Sequence, residues 1–149
     1  MRYFEDFVVG QTIELGEHTF TSESIIAFAR EYDPQTMHTN PELARSSPYG
    51  GLIASGWHTA GAYMRLLVDN LISGTVSLGS PGLDHLRWLK PVRPGDVVRA
   101  RIMILETTPS RSRPDRGIVR SRGEMINQHD EVVMDVEAVN FFGRRPQGD

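Results

Sequence analysis

The 149-residue sequence contains no cysteine, and this absence removes several kinds of chemistry. Without thiols the chain forms no disulfide, no thiolate metal site and no cysteine nucleophile. Long apolar runs are missing as well, since the first ten residues, MRYFEDFVVG, already carry two acids. We therefore expect neither a signal peptide nor a membrane-spanning segment, and we expect a cytoplasmic protein.

The sequence also lacks an excess of positive charge. Its 16 Lys and Arg residues are outnumbered by 19 Asp and Glu residues, which gives a net charge of −3. A general nucleic-acid surface needs a basic field, so we expect no nucleic-acid partner. The length and the 39% apolar content are typical of one globular domain, which we place over residues 1–149.

The segment EYDPQTMH places an aspartate and a histidine five positions apart beside a proline. A helix is predicted to begin at Thr21 or Ser22 and to end at Asp33, because proline disfavours helical dihedrals in the residue before it. Its predicted buried face follows helical spacing and comprises Ile25, Phe28, Ala29 and Tyr32. Residues 35–55 are predicted to be a loop with at most a short turn at Asn40-Pro41, and so long a loop is more often functional than idle.

The rest of the chain predicts one central helix and an antiparallel sheet. Residues 56–72 show helical spacing with apolar residues on nearly every side, which predicts a helix wrapped by other elements. Period-two patterns predict strands over 12–20, 82–90, 96–108, 117–127 and 131–142. We therefore expect an α+β fold in which about five antiparallel strands curl around a long helix.

Four segments carry a family resemblance: DPQTMH, NPELA, GGLIASGWHTAGAYM and LRWLKPVRPGD. Together they resemble the MaoC-type acyl dehydratases and R-specific enoyl-CoA hydratases, which have the hot-dog fold. The resemblance implies that Asp33 and His38 are the catalytic pair. The sequence departs from the family pattern at Gln35 and Thr36, where Asn and Pro are usual. It departs again at Met64, where several hydratases carry a serine.

The residue types fit the reaction that this resemblance implies. Adding water to an α,β-unsaturated thioester requires a base, an acid and stabilisation of an enolate-like oxygen. Asp33 is predicted to be the base, with a pKa raised by the end of the helix and by burial. His38 holds the water or returns a proton. The backbone N–H of Gly56 is predicted to bind the thioester oxygen, because the first N–H groups of a helix lack internal partners.

Neighbouring residues are candidates for substrate binding, each with a structural alternative. Ser55 either contacts substrate or only caps the helix that follows it. His58 either lines the pocket or has a structural role, which we favour. Trp57 and Met64 are expected to shape the acyl pocket. Asp33, His38 and His58 match no metal-site spacing, so we expect no metal and no cofactor beyond the thioester substrate itself.

Arginines are concentrated between positions 99 and 122, a segment that contains seven arginines and only two acidic residues. We favour a solvated pair of strands as the explanation. The alternative is that some of these side chains hold the phosphates of CoA, since the arginine fork binds phosphate well. Arg111, Arg113 and Arg116, in a predicted loop, are the first candidates.

The resemblance also implies a homodimer with the acyl-CoA ligand at the subunit boundary, and an unpaired strand edge favours such pairing. Two other functions stay open. One is a hot-dog thioesterase, whose water is usually handled by a carboxylate or Gln on the central helix, where this chain has only Asp69. The other is a non-catalytic acyl-CoA binding subunit.

Overall fold

The computed structural model describes residues 1–148, and its elements follow the predicted order. The strands are β1 (Thr12–Thr19), β2 (Gly82–Trp88), β3 (Val97–Pro109), β4 (Arg116–Ile126) and β5 (Val132–Gly143). The helices are α1 (Ser22–Tyr32), α2 (Thr36–Thr39), α3 (Pro41–Arg45) and α4 (Gly56–Asn70), with 3-10 turns at Phe4–Asp6 and Ile72–Gly74. Each predicted strand is present, with its ends displaced by at most two residues.

The five strands form one antiparallel sheet in the order β1-β3-β4-β5-β2. The β3–β4 hairpin closes where Pro109 pairs with Gly117, while Arg99 pairs with Ile126 at the opposite end of the sheet. Strand β2 ends at that second end, where Trp88 pairs with Met134. One edge of the sheet is therefore β1 and the other is β2.

Helix α4 packs against the inner face of the sheet. The ring of Tyr63 lies directly over Gly123 of β4, where a Cβ would overlap the phenol. A Cβ on Gly16 of β1 would lie 3.9 Å from the side chain of Leu66. At Gly123 the missing side chain lets the helix approach the strand closely, whereas at Gly16 the backbone has a φ of 89°, which favours glycine. The predicted α+β hot-dog fold, with a five-stranded sheet curved around a central helix, is confirmed.

Side-chain caps fix where the helices begin. The hydroxyl of Thr21 accepts a hydrogen bond from the backbone N–H of Ser24 at the start of α1. The amide oxygen of Asn40 accepts from two N–H groups at the start of α3. Ser55 caps α4 by accepting from Trp57 N–H. Each cap satisfies donors that have no acceptor inside the helix.

Three predictions about these elements are wrong. Residues 36–39 form helix α2 rather than loop, and four residues show no periodicity that a sequence pattern could reveal. Tyr32, predicted to be buried, is 66% exposed at the last position of α1, with its ring beside Phe28. Helix α4, predicted to be wrapped on all sides, leaves Trp57 and Met64 58% and 49% exposed. They lie on the face that the sheet does not cover.

Among residues 1–148, no helix combines the length and the apolar character needed to cross a membrane.

Candidate active site

Asp33 and His38 meet at the junction of α1 and α2. Asp33 caps the C-terminus of α1, and its non-helical backbone turns the chain into Pro34. His38 lies in α2 and is 4% exposed. The distance between Oδ2 of Asp33 and Nε2 of His38 is 3.3 Å. The structure therefore brings the predicted catalytic pair into contact.

The backbone fixes the orientation of the His38 ring. Its Nδ1 lies 2.8 Å from the carbonyl oxygen of Ile53. A carbonyl oxygen only accepts, so Nδ1 carries a proton and donates it to Ile53. The N–H of Ile53 in turn donates to the carbonyl of Met37, which ties α2 to the segment before α4. Nε2 is consequently the nitrogen available to Asp33 and to a reactant.

Hydrogen-bond donors surround the carboxylate of Asp33. Its Oδ1 accepts from Nε2 of Gln35 at 2.8 Å, and its Oδ2 accepts from the hydroxyl of Ser55 at 2.7 Å. Burial raises the pKa of Asp33, but the bonds from Gln35 and Ser55 and the charge of His38 outweigh it, so the pKa lies below its ordinary value. The prediction of a raised pKa is wrong, because the sequence indicates the burial but not the donors.

Ser55 connects the catalytic carboxylate to the start of α4. It is completely buried, donates its hydroxyl proton to Asp33 and accepts from the N–H of Trp57. The next residue, Gly56, is the first of α4, so its N–H has no acceptor inside the helix. The positive end of the α4 dipole therefore lies beside the Asp33–His38 pair.

Trp88 covers Gly56. Its indole N–H donates to the carbonyl oxygen of Gly56 at 2.8 Å. A Cβ at position 56 would lie 2.6 Å from Cδ2 and 2.8 Å from Nε1 of that indole, and closer still to Cε2. The Trp88 ring therefore leaves room only for glycine at position 56, whether or not a ligand also approaches this residue. This contact ties the edge strand to the start of α4.

One open cavity of about 450 Å³ connects these features. Asp33, His38, Gly56 and Trp57, all predicted site residues, lie on its wall. The other lining residues are Gln35, Met37, Tyr49, Ile53, Ala54, Thr59, Trp88, Leu89, Lys90, Pro91 and Val92. The mixture of a few convergent polar groups and an apolar wall is typical of a small-molecule site.

Several predicted binding residues lie off this wall. Ser55 stands behind Asp33, and Met64 is on the uncovered face of α4. The loop that carries Arg111 and Arg113 closes the β3–β4 hairpin at the end of the sheet opposite Trp88, and Arg116, predicted in that loop, is the first residue of β4. Within one chain these side chains do not border the cavity.

His58 belongs to an aromatic cluster that joins α1, α4 and β1. Its ring stacks on Phe28 with centroids 4.8 Å apart and meets Phe20 edge-on at 5.0 Å. The ring centroid of His18 lies 6.4 Å away. Burial, together with the charge of His18, lowers the pKa of His58 to about 4. These contacts support the structural role that we favour for His58.

We expect His58 to make the fold acid-sensitive. The pKa of His58 is 6.5 when unperturbed and about 4 in the folded protein. Between pH 6.5 and pH 4 the unfolded chain therefore binds a proton at His58 that the folded chain does not bind. Stability therefore falls as pH drops through the window. Between about pH 7 and pH 4.5 the wild type should lose about 2 kcal/mol more unfolding free energy than His58→Phe, as urea titrations measure. Equal losses in both proteins would refute the buried neutral imidazole, and His129→Asn, at an exposed histidine, is the control.

Five of the seven concentrated arginines form salt bridges, four of them with acids outside residues 99–122 and one with the adjacent Asp115. Salt bridges join Arg99 to Asp130, Arg101 to Glu124, Arg120 to Asp84, Arg122 to Asp135 and Arg116 to Asp115. Within residues 1–148, no carboxylate lies within salt-bridge distance of Arg111 or Arg113. The favoured explanation, a solvated pair of strands, therefore fits five of the seven arginines.

The chain matches known proteins over nearly its whole length. The model of the MaoC like domain matches residues 6–122. The crystal structure of a MaoC-like dehydratase from Rhodospirillum rubrum is 42% identical, covers 99% of this chain and 100% of its own, and superposes with a TM-score of 0.88. A 3-hydroxybutyryl-CoA dehydratase from Methylorubrum extorquens is 32% identical over 149 residues, which are 99% of this chain and 88% of that protein.

An (R)-specific enoyl-CoA hydratase from Rhodospirillum rubrum is 28% identical over 115 residues, covering 74% of this chain and 75% of that protein. The resemblance carried by the sequence motifs is thus confirmed. The chain belongs to the MaoC-like domain family.

Two residues of the site are not identified by sequence as neighbours of the catalytic groups. Gln35 stands out in the sequence only as a departure from the family pattern, yet its side-chain amide donates a hydrogen bond to the Asp33 carboxylate. Trp88 reaches Gly56 from a strand 32 positions away. Asp33 and Gln35 are only two positions apart, close enough for their side chains to meet in a turn. No local pattern marks the Trp88 contact.

Proposed function

We propose that the chain is a hydratase or dehydratase that adds or removes water at the carbon–carbon double bond of an acyl-CoA or acyl-carrier thioester. The observation that carries this proposal is the contact of Asp33 with the oriented ring of His38, beside the first N–H of α4, on one cavity. Base, acid and oxyanion donor are the three groups the reaction needs.

In the hydration direction, a water molecule held by Asp33 and by Nε2 of His38 attacks the β-carbon. Asp33, a carboxylate whose hydrogen bonds favour its ionised form, accepts the proton of that water as the new carbon–oxygen bond forms. The electrons of the double bond move to the thioester oxygen, which becomes enolate-like. The N–H of Gly56 donates to this oxygen, and the helix dipole favours its negative charge.

The second half of the reaction delivers a proton to the α-carbon. His38 carries one proton on Nδ1, committed to Ile53, and a second on Nε2 when it is charged. The Nε2 proton goes to the α-carbon as the enolate collapses to the thioester. The proton held by Asp33 then crosses the 3.3 Å contact to Nε2, which restores both groups. Dehydration is the reverse of these steps.

The site offers less support for a thioesterase. That reaction would need a carboxylate or Gln on the central helix, close to the thioester. Asp69 is the acid of α4, and its carboxylate pairs with Arg65 at 2.7 Å near the far end of the helix. The non-catalytic alternative rests on the unusual Gln35 and Thr36, but the structure keeps Asp33 and His38 in contact.

A homodimer is part of this proposal. Large apolar side chains are exposed on the uncovered side of α4, along the edge strand β2 and just after it: Trp57, Met64, Leu83, Trp88 and Leu89. Exposed apolar groups of this kind, next to an open strand edge, favour a second copy as partner. In such a pair the β3–β4 loop of one protomer is free to reach the cavity of its partner.

The loop arginines give a prediction that depends on this pairing. If Arg111 and Arg113 hold CoA phosphates, Arg111→Ala or Arg113→Ala should raise KM for an enoyl-CoA about tenfold, since 1.4 kcal/mol is a factor of ten. The value of kcat should hardly change, because the phosphates lie far from the double bond. Arg99→Ala, which removes an arginine paired with Asp130, is the control in steady-state assays. If all the variants have the KM of the wild type, the loop arginines do not bind CoA and are simply exposed to solvent.

The proposal is tested by a panel of 2-enoyl-CoA thioesters of increasing chain length. Hydration removes the conjugation between the double bond and the thioester, so the ultraviolet absorbance of that chromophore should fall with enzyme. The chain length with the highest kcat/KM identifies the acyl group that the cavity accepts. An unchanged absorbance for every thioester, with folded protein, would reject the proposal.

A further inference from the structure

The two oxygens of the Asp33 carboxylate have different surroundings. Oδ2 contacts the buried Ser55 hydroxyl and Nε2 of His38. Oδ1 accepts from Gln35, which is exposed and lies on the cavity wall. The Gln35 amide is therefore the donor that a solvent molecule or a substrate can reach.

The backbone of Gln35 is held in place around this contact. Its N–H donates to the carbonyl of Asp33 at 2.8 Å. Its carbonyl accepts from the N–H of His38 and from the hydroxyl of Thr39, both at 3.0 Å. Residues 33 and 38 are thus joined through the main chain of Gln35 as well as by their own side chains. These backbone hydrogen bonds fix the Cα of Gln35, and so the point from which its side-chain amide reaches the Asp33 carboxylate.

Given the proposed function, on which this inference rests, we infer that Gln35 is a positioning residue: its amide holds Oδ1 of Asp33 and thereby fixes the orientation and the negative charge of the base. A neutral donor of this kind stabilises the ionised carboxylate over the protonated one. Among residues 1–148, the other titratable groups on the cavity wall are His38, Tyr49 and Lys90. Lys90 is paired with Glu131, so it is not committed to Asp33.

The direction of the expected effect follows from this contact. Removing the Gln35 amide leaves Oδ1 of Asp33 with only water as a hydrogen-bond donor, which makes the ionised form of the carboxyl group less favourable. The pKa of Asp33 should then rise, and the acid limb of the kcat/KM profile should move to higher pH. A shift of about one pH unit corresponds to the lower end of what hydrogen bonds to charged groups contribute. Above the limb, where Asp33 is ionised in both proteins, the change in kcat/KM should be smaller than below it.

The test compares Gln35→Ala, Gln35→Asn and a matched control. Gln128→Ala removes another exposed amide that donates to an aspartate, Asp96, at the same distance of 2.8 Å. Gln35→Ala should move the acid limb up by about one unit, Gln35→Asn should restore most of the wild-type position, and Gln128→Ala should leave it in place. An unmoved limb in Gln35→Ala, or an equal shift in Gln128→Ala, would overturn the inference.

A readout that needs no activity separates this inference from the proposed function. In protein with carbon-13 in its aspartate carboxyls, the NMR titration midpoint of Asp33 should rise in Gln35→Ala and stay fixed in Gln128→Ala. A raised midpoint in a protein that hydrates no enoyl thioester would reject the proposed function and retain the Gln35 contact. An unchanged midpoint would reject the role of Gln35 even if the enzyme is active.

Discussion

Asp33→Asn and His38→Ala are each expected to reduce hydration of an enoyl-CoA by about 10² to 10⁴, the usual range for positioned acid–base groups. Asparagine keeps the shape of Asp33 but accepts no proton from water. Alanine at 38 removes the proton donor that faces Asp33 at 3.3 Å. Because the two groups act on one water and exchange one proton, the double variant should be little slower than the slower single variant.

Controls separate this loss from unfolding. His38 is 4% exposed and donates to Ile53, so alanine leaves a buried carbonyl without its donor and costs about 1 to 3 kcal/mol. Thermal melts should therefore accompany the kinetics. His85→Ala breaks a second histidine–aspartate contact, to Asp135 at 2.7 Å on the sheet, and should leave turnover unchanged. Full turnover in both Asp33→Asn and His38→Ala would mean that the site is elsewhere.

Gly56→Ala is expected to have the second largest effect. The added methyl would overlap the Trp88 indole, so the ring must move, which disturbs its hydrogen bond to the Gly56 carbonyl. Overpacking of this kind typically costs about 1 to 3 kcal/mol. The added methyl also stands beside the Gly56 N–H that is proposed to bind the thioester oxygen, so any shift of the helix start misaligns this donor. Loss of one such donor costs about 10² to 10³ in kcat.

The same helix supplies the control for this variant. Gly61 lies further along α4, where an added methyl would have no neighbour within 4 Å in the single chain, and alanine there should stabilise the monomer by about 0.5 to 1 kcal/mol. If Trp88 is the cause, Gly56→Ala should cost much less stability in a Trp88→Ala background. Denaturant titrations of the four proteins in that cycle measure the coupling. Equal costs in both backgrounds would contradict the assigned contact.

Local patterns in the sequence predict the elements well. Alternating residues indicate all five strands, and Thr21 and Asn40 mark helix starts that the structure retains. These features depend on residues a few positions apart, which is the range that a single sequence reveals. Helix α2 escapes prediction because four residues are too few to show a period.

The candidate site is predicted less completely, because its decisive contacts are between distant residues. The motif identifies Asp33 and His38, but the lowered pKa of Asp33 depends partly on Ser55, 22 positions later. The arginine concentration looks unpaired in sequence because partners such as Asp130 and Asp135 lie outside residues 99–122. Through-space pairing of this kind requires the fold, since strand register decides which charges meet.

The most direct test of the account follows two signals from one reaction mixture of the purified protein and its preferred 2-enoyl-CoA. One signal is the absorbance of the conjugated thioester, and the other is free CoA thiol, detected with a thiol reagent. A hydratase should abolish conjugation without releasing thiol, and Asp33→Asn should slow that loss by at least about a hundredfold. Thiol released in step with the loss of substrate would instead identify a thioesterase. If neither signal changed, the protein would only bind its ligand. Either result would contradict hydration at Asp33 and His38.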